Sequence, residues 1–198
     1  MPTPLAHSGF ALAVALAASP GKVPALRSTV ALIFLANAAD LDFVPGILSG
    51  HPVAYHHGAS HSFLFAAVMA ALVTAVMAAM VTAMVSRIED VPRRFSAWAA
   101  LAAASHPVLD WVTGETGANV AKYGVALFWP SPVRYMSDTH VFGAYHIDTM
   151  GLIGGVLTLG AIVPLLRELG FVALTLGLAA VWRRVRAGMA FGAPPIEG

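Results

Sequence analysis

The chain has 198 residues, 58% hydrophobic and 11% charged, with a mean hydropathy of +0.76. A soluble domain carries roughly 25% charged residues, so an ordinary soluble globule is excluded and the chain reads as a polytopic membrane protein, one domain over residues 1–198. A formal net charge of +1 gives no basic field for nucleic acid, and the lack of cysteine excludes disulfides and thiolate metal sites, leaving His, Asp and Glu as the only ligands for a metal.

The first apolar stretch, Leu5–Ala18, is short for a bilayer core of about 30 Å. Its "AVALAAS" resembles a signal-peptide cleavage region, but no Lys or Arg precedes Lys22, so it reads as a retained first helix. A "SPGKVP" turn separates it from a second short stretch, Leu26–Ala39. "NAADLDFVPG" and "YHHGASHS" follow, and then the clearest span, Ser62–Ser86, closed by "RIEDVPRR". Phe95–Asp110 is the next span. Residues 111–148 form a loop, Thr149–Leu166 is a further span with Pro164 near its end, and Leu169–Trp182 runs into "RRVR" in a final helix and basic tail over 168–198. The fold expected is an all-α transmembrane helical bundle of five to six membrane segments. Five cross, and the last lies at the interface or re-enters; six crossings is the alternative.

The positive-inside rule orients this bundle. With the N-terminus outside, the inner connections hold Lys22, Arg27, Arg87, Arg93, Arg94 and Arg167, and the outer ones only Lys122 and Arg134. Arg183, Arg184 and Arg186 fit poorly if the last segment crosses and well if it lies on the inner interface. All eight histidines, His51 included, then fall in one outer layer with most of the carboxylates.

Three motifs carry chemistry. In "SHPVLD", His106 and Asp110 are four apart and share a helix face, which suits two ligands of one metal or a buried hydrogen-bonded pair. Pro107 is placed to bend that helix end. Asp40 and Asp42 cannot point the same way on a continuous helix, but they can converge where it runs into Pro45 and Gly46. In "HHGASHS", a positive φ at Gly58 would bring His56 and His61 together, while Ser60 and Ser62 can cap the next helix or orient the imidazoles. With His7, these segments place four histidines and up to three carboxylates at the outer ends of four helices. His and carboxylate without cysteine suit Zn²⁺, Mn²⁺ or Fe²⁺, as one ion or two.

"AHSGFAL", "ADLDFVPG", "HHGASHSF", "SHPVLDWVTGETG" and "YGVALFWPSP" stand in the order of the YdjM-like family, bacterial inner-membrane metal-dependent hydrolases, which this chain resembles over residues 5–132. The family pattern is matched by His7, by Asp40 and Asp42, by His56, Gly58, Ser60, His61 and Ser62, by Ser105, His106 and Asp110, and by Gly124, Leu127, Trp129 and Pro130. Three departures are Ala39 where proline is usual, His57 where arginine is common, and Ser60 in place of threonine. The ligand order is also similar to that of zinc-dependent phospholipase C and related soluble helical nucleases.

The resemblance implies a hydrolase in the bacterial inner membrane, its metal site on the periplasmic side. His7, Asp40, Asp42, His56, His61, His106 and Asp110 are the candidate ligands, and water activated by the metal is the nucleophile. His57, Glu115, His140 and His146 are the candidates for moving a proton. Trp111, Tyr123, Phe128, Trp129 and Tyr135 in the outer loop suit a mouth at the headgroup level. The substrate expected is a lipid-like phosphoester, with a lipid amide or ester second. A metal- or proton-coupled transporter needs its polar groups near the bilayer midplane. A non-catalytic scaffold needs a closed ligand shell.

Overall fold

The structure, a computed structural model, describes residues 2–51, 55–84, 91–113, 124–139, 141–142 and 159–191. It is helical: α1 (Pro4–Ala17), α2 (Leu26–Asn37), α3 (Phe43–Leu48), α4 (Phe63–Met84), α5 (Val91–Val112) and α6 (Ile162–Phe191). Short 3₁₀ turns, Ala38–Asp42 and Ala59–His61, precede α3 and α4. Among the described residues three helical stretches are long and apolar enough to cross a membrane, Leu26–Leu48, Phe63–Met80 and Leu159–Met189, and α1 is a shorter apolar helix.

The helix starts follow from local chemistry. Thr3 caps α1, its hydroxyl accepting from the Leu5 N–H, and Pro4 sits at the first position, where a missing N–H costs nothing. Ser62 caps α4 by accepting from Phe65 N–H at 3.1 Å. After Asn37 the chain tightens into the 3₁₀ turn and then resumes as α3, because Pro45 falls within that helix's first turn, where proline is tolerated.

Alanine makes the packing close. Ala11, Ala15, Ala36, Ala66, Ala70, Ala99, Ala102 and Ala103 are buried where α1, α2, α4 and α5 meet, around Val14, Leu32 and Leu35. Within lipid no hydrophobic drive pulls helices together, and small residues let backbones approach.

The end of the chain differs from the expectation. Ile162–Phe191 is one helix, with no break at Arg167–Glu168 between the two segments read from the sequence; residues 149–158 lie outside the described residues. Glu168 is fully buried and needs no loop, because Thr3 satisfies it: the Thr3 hydroxyl donates to Oε2 at 2.6 Å and the Thr3 N–H to Oε1 at 2.9 Å. Phe171 lies against Phe10, and Arg183 donates to the Lys22 carbonyl at 2.7 Å. Helix α6 therefore runs parallel to α1. Arg167 belongs to the end that holds Thr3 and His7, not to the opposite end where it was expected. Arg183, Arg184 and Arg186 belong to the same end of the bundle as Lys22.

One glycine sets how near α6 comes. A Cβ at Gly9 would lie 2.3 Å from Val172 Cγ2 and 2.8 Å from Cγ1. A β-branched side chain in a helix has little rotameric escape. Gly9→Ala is expected to lose about 1–3 kcal/mol, read as a lower melting temperature in detergent, and Val172→Ala in the same chain is expected to recover it. A Gly9→Ala protein that melts like the parent would refute this account of the contact.

Candidate metal centre

Four elements converge at one end of the bundle. Helix α1 supplies His7, the turn after α2 supplies Asp40 and Asp42, the turn before α4 supplies His61, and α5 supplies His106 and Asp110. His7, His61, His106 and Asp110 are all buried.

The ring orientations are set from behind. His106 Nδ1–H donates to the Ala36 carbonyl at 2.7 Å, one of the acceptors the last turn of α2 leaves over, so Nε2 faces inward. His61 Nδ1 lies 3.2 Å from Asp42 Oδ2 and 3.1 Å from Ser60 Oγ, and Ser60 donates to Asp42 Oδ2 at 2.7 Å. His61 Nε2 then faces the same inner point as His106 Nε2.

Around that point His61 Nε2 is 3.2 Å from Asp110 Oδ2 and 3.6 Å from Asp40 Oδ1. His106 Nε2 is 3.1 Å and 3.5 Å from the same two oxygens. Two donors of one tetrahedral ion, at bonds of about 2.0–2.1 Å, sit about 3.3 Å apart, so the spacing is that of a ligand shell. Asp110 Oδ1 points elsewhere, 3.5 Å from His7 Nε2. Both nitrogens of His7, Nε2 of His61 and His106, and Asp110 Oδ2 are buried with no hydrogen-bond partner among the described residues. Each such group costs about 1–3 kcal/mol unless something meets it, and a divalent cation would meet the inward-facing ones together. The residues fit a metal.

Electrostatics point the same way. Burial alone pushes the His61 imidazole down, yet the carboxylates of Asp110, Asp40 and Asp42 outweigh it and hold His61 well above its ordinary range. Burial dominates at His56, which lies below that range despite Asp42. The inner point attracts positive charge.

The remaining candidates fall around this centre. Asp42 and His56 stand behind His61, with His56 Nδ1 2.9 Å from Asp42 Oδ1 and its ring against Phe43. His57 lies 4.2 Å from the His56 ring and 5.1 Å from the His61 ring, and these three form a further group compact enough for a cation. The tight turn expected at Gly58 is made one residue earlier. Gly58 has φ −80°, and His57 takes the left-handed conformation, φ 61°. Its carbonyl is fixed by Ala126 N–H and by Arg134 Nη1, which also donates to Gly124 O. Strain of that kind persists where the surroundings over-determine it. Of the loop aromatics, Trp111 falls in the last turn of α5 and is exposed, as are Phe128 and Trp129; Phe128 packs on Phe63, and Tyr135 sits edge-on to Phe128. Glu115, Tyr123, His140 and His146 lie outside the described residues. Sequence reasoning did not find the Ala36 carbonyl, the Arg134 clamp or the Thr3–Glu168 pair. Only the last left a signal, an acidic residue in an apolar run.

The model of the YdjM inner membrane protein family matches residues 1–188. The chain belongs to that family. The YdjM match extends past the motifs at 5–132 and takes in most of α6. No curated protein and no solved structure shows a significant match.

Proposed function

We propose that this YdjM-family protein is a membrane-embedded, metal-dependent hydrolase acting on a lipid-like phosphoester, with a lipid amide or ester as the second class. The observation that carries the reading is the set of inward-facing donors on buried His61, His106 and Asp110 and on half-buried Asp40 at ligand spacing. His and carboxylate donors suit Zn²⁺, with Mn²⁺ and Fe²⁺ also compatible. When bound, such a cation supplies Lewis acidity to a water and to the ester oxygen.

The chain's own groups divide the rest of the work. Asp42 and Ser60 hold His61 with Nε2 inward, and the Ala36 carbonyl does the same for His106. The Asp40 side chain is 19% exposed against 0–3% for His61, His106 and Asp110. The shell therefore opens on the Asp40 side, which favours catalysis over a closed structural ion. His57, on the next turn, is placed to hold or pass a proton. Exposed Phe128 and Trp129 suit the headgroup level. In the arrangement we favour, α1, α2, α4, α5 and α6 cross the inner membrane with the centre on the periplasmic side and Lys22, Arg27, Arg183, Arg184 and Arg186 inside. Helix α4 is apolar from Phe63 to Met84 apart from Thr74 and Thr82, which supports an enzyme at one face over a transport path through the middle.

The test is hydrolysis of short-chain and long-chain lipid phosphoesters, amides and esters in mixed micelles by detergent-purified protein loaded with Zn²⁺ or Mn²⁺. Turnover abolished by chelation and by Asp110→Asn is expected. Metal-loaded protein that cleaves none of the three classes would overturn the reading.

A further inference from the structure

The His7 and His106 rings cannot share one ion. His7 and His106 are stacked, with centroids 4.0 Å apart and planes within 15° of parallel. A cation bound through an imidazole nitrogen lies in the plane of that ring, because the lone pair does. A cation in the plane of His106 therefore sits roughly 3.5 Å, one van der Waals contact, from the plane of His7. That is well beyond a metal–nitrogen bond of about 2.1 Å. His61 differs: its ring stands at 66° to His106, so those two planes intersect and both Nε2 atoms can meet on one ion.

We propose that the centre holds two divalent cations bridged by Asp110, the second bound by His7. This rests on the reading of the cluster as a metal centre. The carboxylate already faces both ways, Oδ2 toward His61 and His106 at 3.2 and 3.1 Å and Oδ1 toward His7 Nε2 at 3.5 Å. His7 is fully buried, and neither of its nitrogens has a hydrogen-bond partner among the described residues. A ring that only filled space there would need no nitrogens. Asp40 is within ligand reach of His7 as well as of His106, so a second carboxylate is at hand for the second ion. The group His56–His57–His61 is a poorer place for it, because His61 Nδ1 is already engaged by Asp42 and Ser60. Cations held one per stacked ring lie about 3.5–4 Å apart, the separation at which paired metals clamp the entering and leaving oxygens of a phosphoester. The His7 ion has few protein ligands, so it is the one with positions open to a substrate oxygen.

The experiment loads detergent-purified full-length protein with Mn²⁺, removes loose metal by gel filtration, and measures Mn per chain together with the frozen-solution paramagnetic resonance spectrum. Two ions per chain with an exchange-coupled spectrum are expected in the wild type. In His7→Gln one ion with the spectrum of an isolated Mn²⁺ is expected. One ion per chain with an isolated-ion spectrum in the wild type would overturn the second site while leaving the metal centre standing, and it needs no variant to fold. No retained ion in the wild type would overturn both. Two coupled ions persisting in His7→Gln would overturn the role given to His7.

Discussion

Asp110→Asn is expected to strip the protein of metal and of hydrolysis together. The carboxylate is buried, and its Oδ2 stands 3.2 Å from His61 Nε2 and 3.1 Å from His106 Nε2, with Oδ1 at 3.5 Å from His7. An amide of the same shape removes the charge and turns one oxygen into a donor aimed at rings that, on the proposed reading, also face a cation. Breaking a buried charge pairing of this kind costs about 3–5 kcal/mol, which in affinity is roughly 10²–10⁴-fold. The measurement is Zn²⁺ or Mn²⁺ affinity by competition with a chelating dye, with helical content checked by circular dichroism. Wild-type affinity in a folded Asp110→Asn protein would remove Asp110 from the centre and with it the bridging geometry.

The arrangement around Asp110 was partly readable from sequence. His106 and Asp110 were paired by helical spacing alone, because α5 is a regular helix even across Pro107. The shared level of His7, Asp40, His61 and His106 came from counting apolar spans and sorting arginines, which depends on composition and not on fine geometry. What failed to read out was conformation at the joints. Spacing in "HHGASHS" pointed to Gly58 as the left-handed residue, yet His57 takes that role, since hydrogen bonds to its carbonyl from the Ala126 N–H and the Arg134 guanidinium, distant in sequence, decide it. The same applies to α6. Arg167 and Glu168 looked like an inner loop because charges seldom enter a span, but Thr3 meets the glutamate from another helix, and the chain has no local reason to stop. Asp42 and His56 stand in a motif beside the inward-facing donors. That His61 lies between them and the centre is a fact of side-chain direction, to which sequence spacing is blind.

Asp42→Ala should therefore weaken metal binding without abolishing it. Asp42 faces the outer nitrogen of His61, Oδ2 to Nδ1 at 3.2 Å, while it accepts from Ser60 Oγ and lies against His56. It keeps the His61 proton on Nδ1 and the lone pair of Nε2 inward. Removing such an orienting carboxylate typically lowers metal affinity about 10–100-fold. Asp42→Asn retains one acceptor for Nδ1–H and loses the charge, so the expected order of affinity is wild type, then Asn, then Ala. Histidine nitrogen shifts in labelled, metal-loaded protein give a readout that simple loss of stability would not mimic, because His61 should populate both tautomers in Asp42→Ala and only the Nδ1–H form in the parent. Affinity within twofold of wild type in the Ala variant would show that the carboxylate orients nothing of consequence. A loss as deep as that of Asp110→Asn would make Asp42 a direct ligand, as the aspartate pair in "ADLD" first implied, and the centre would then have to re-form around a rotated His61.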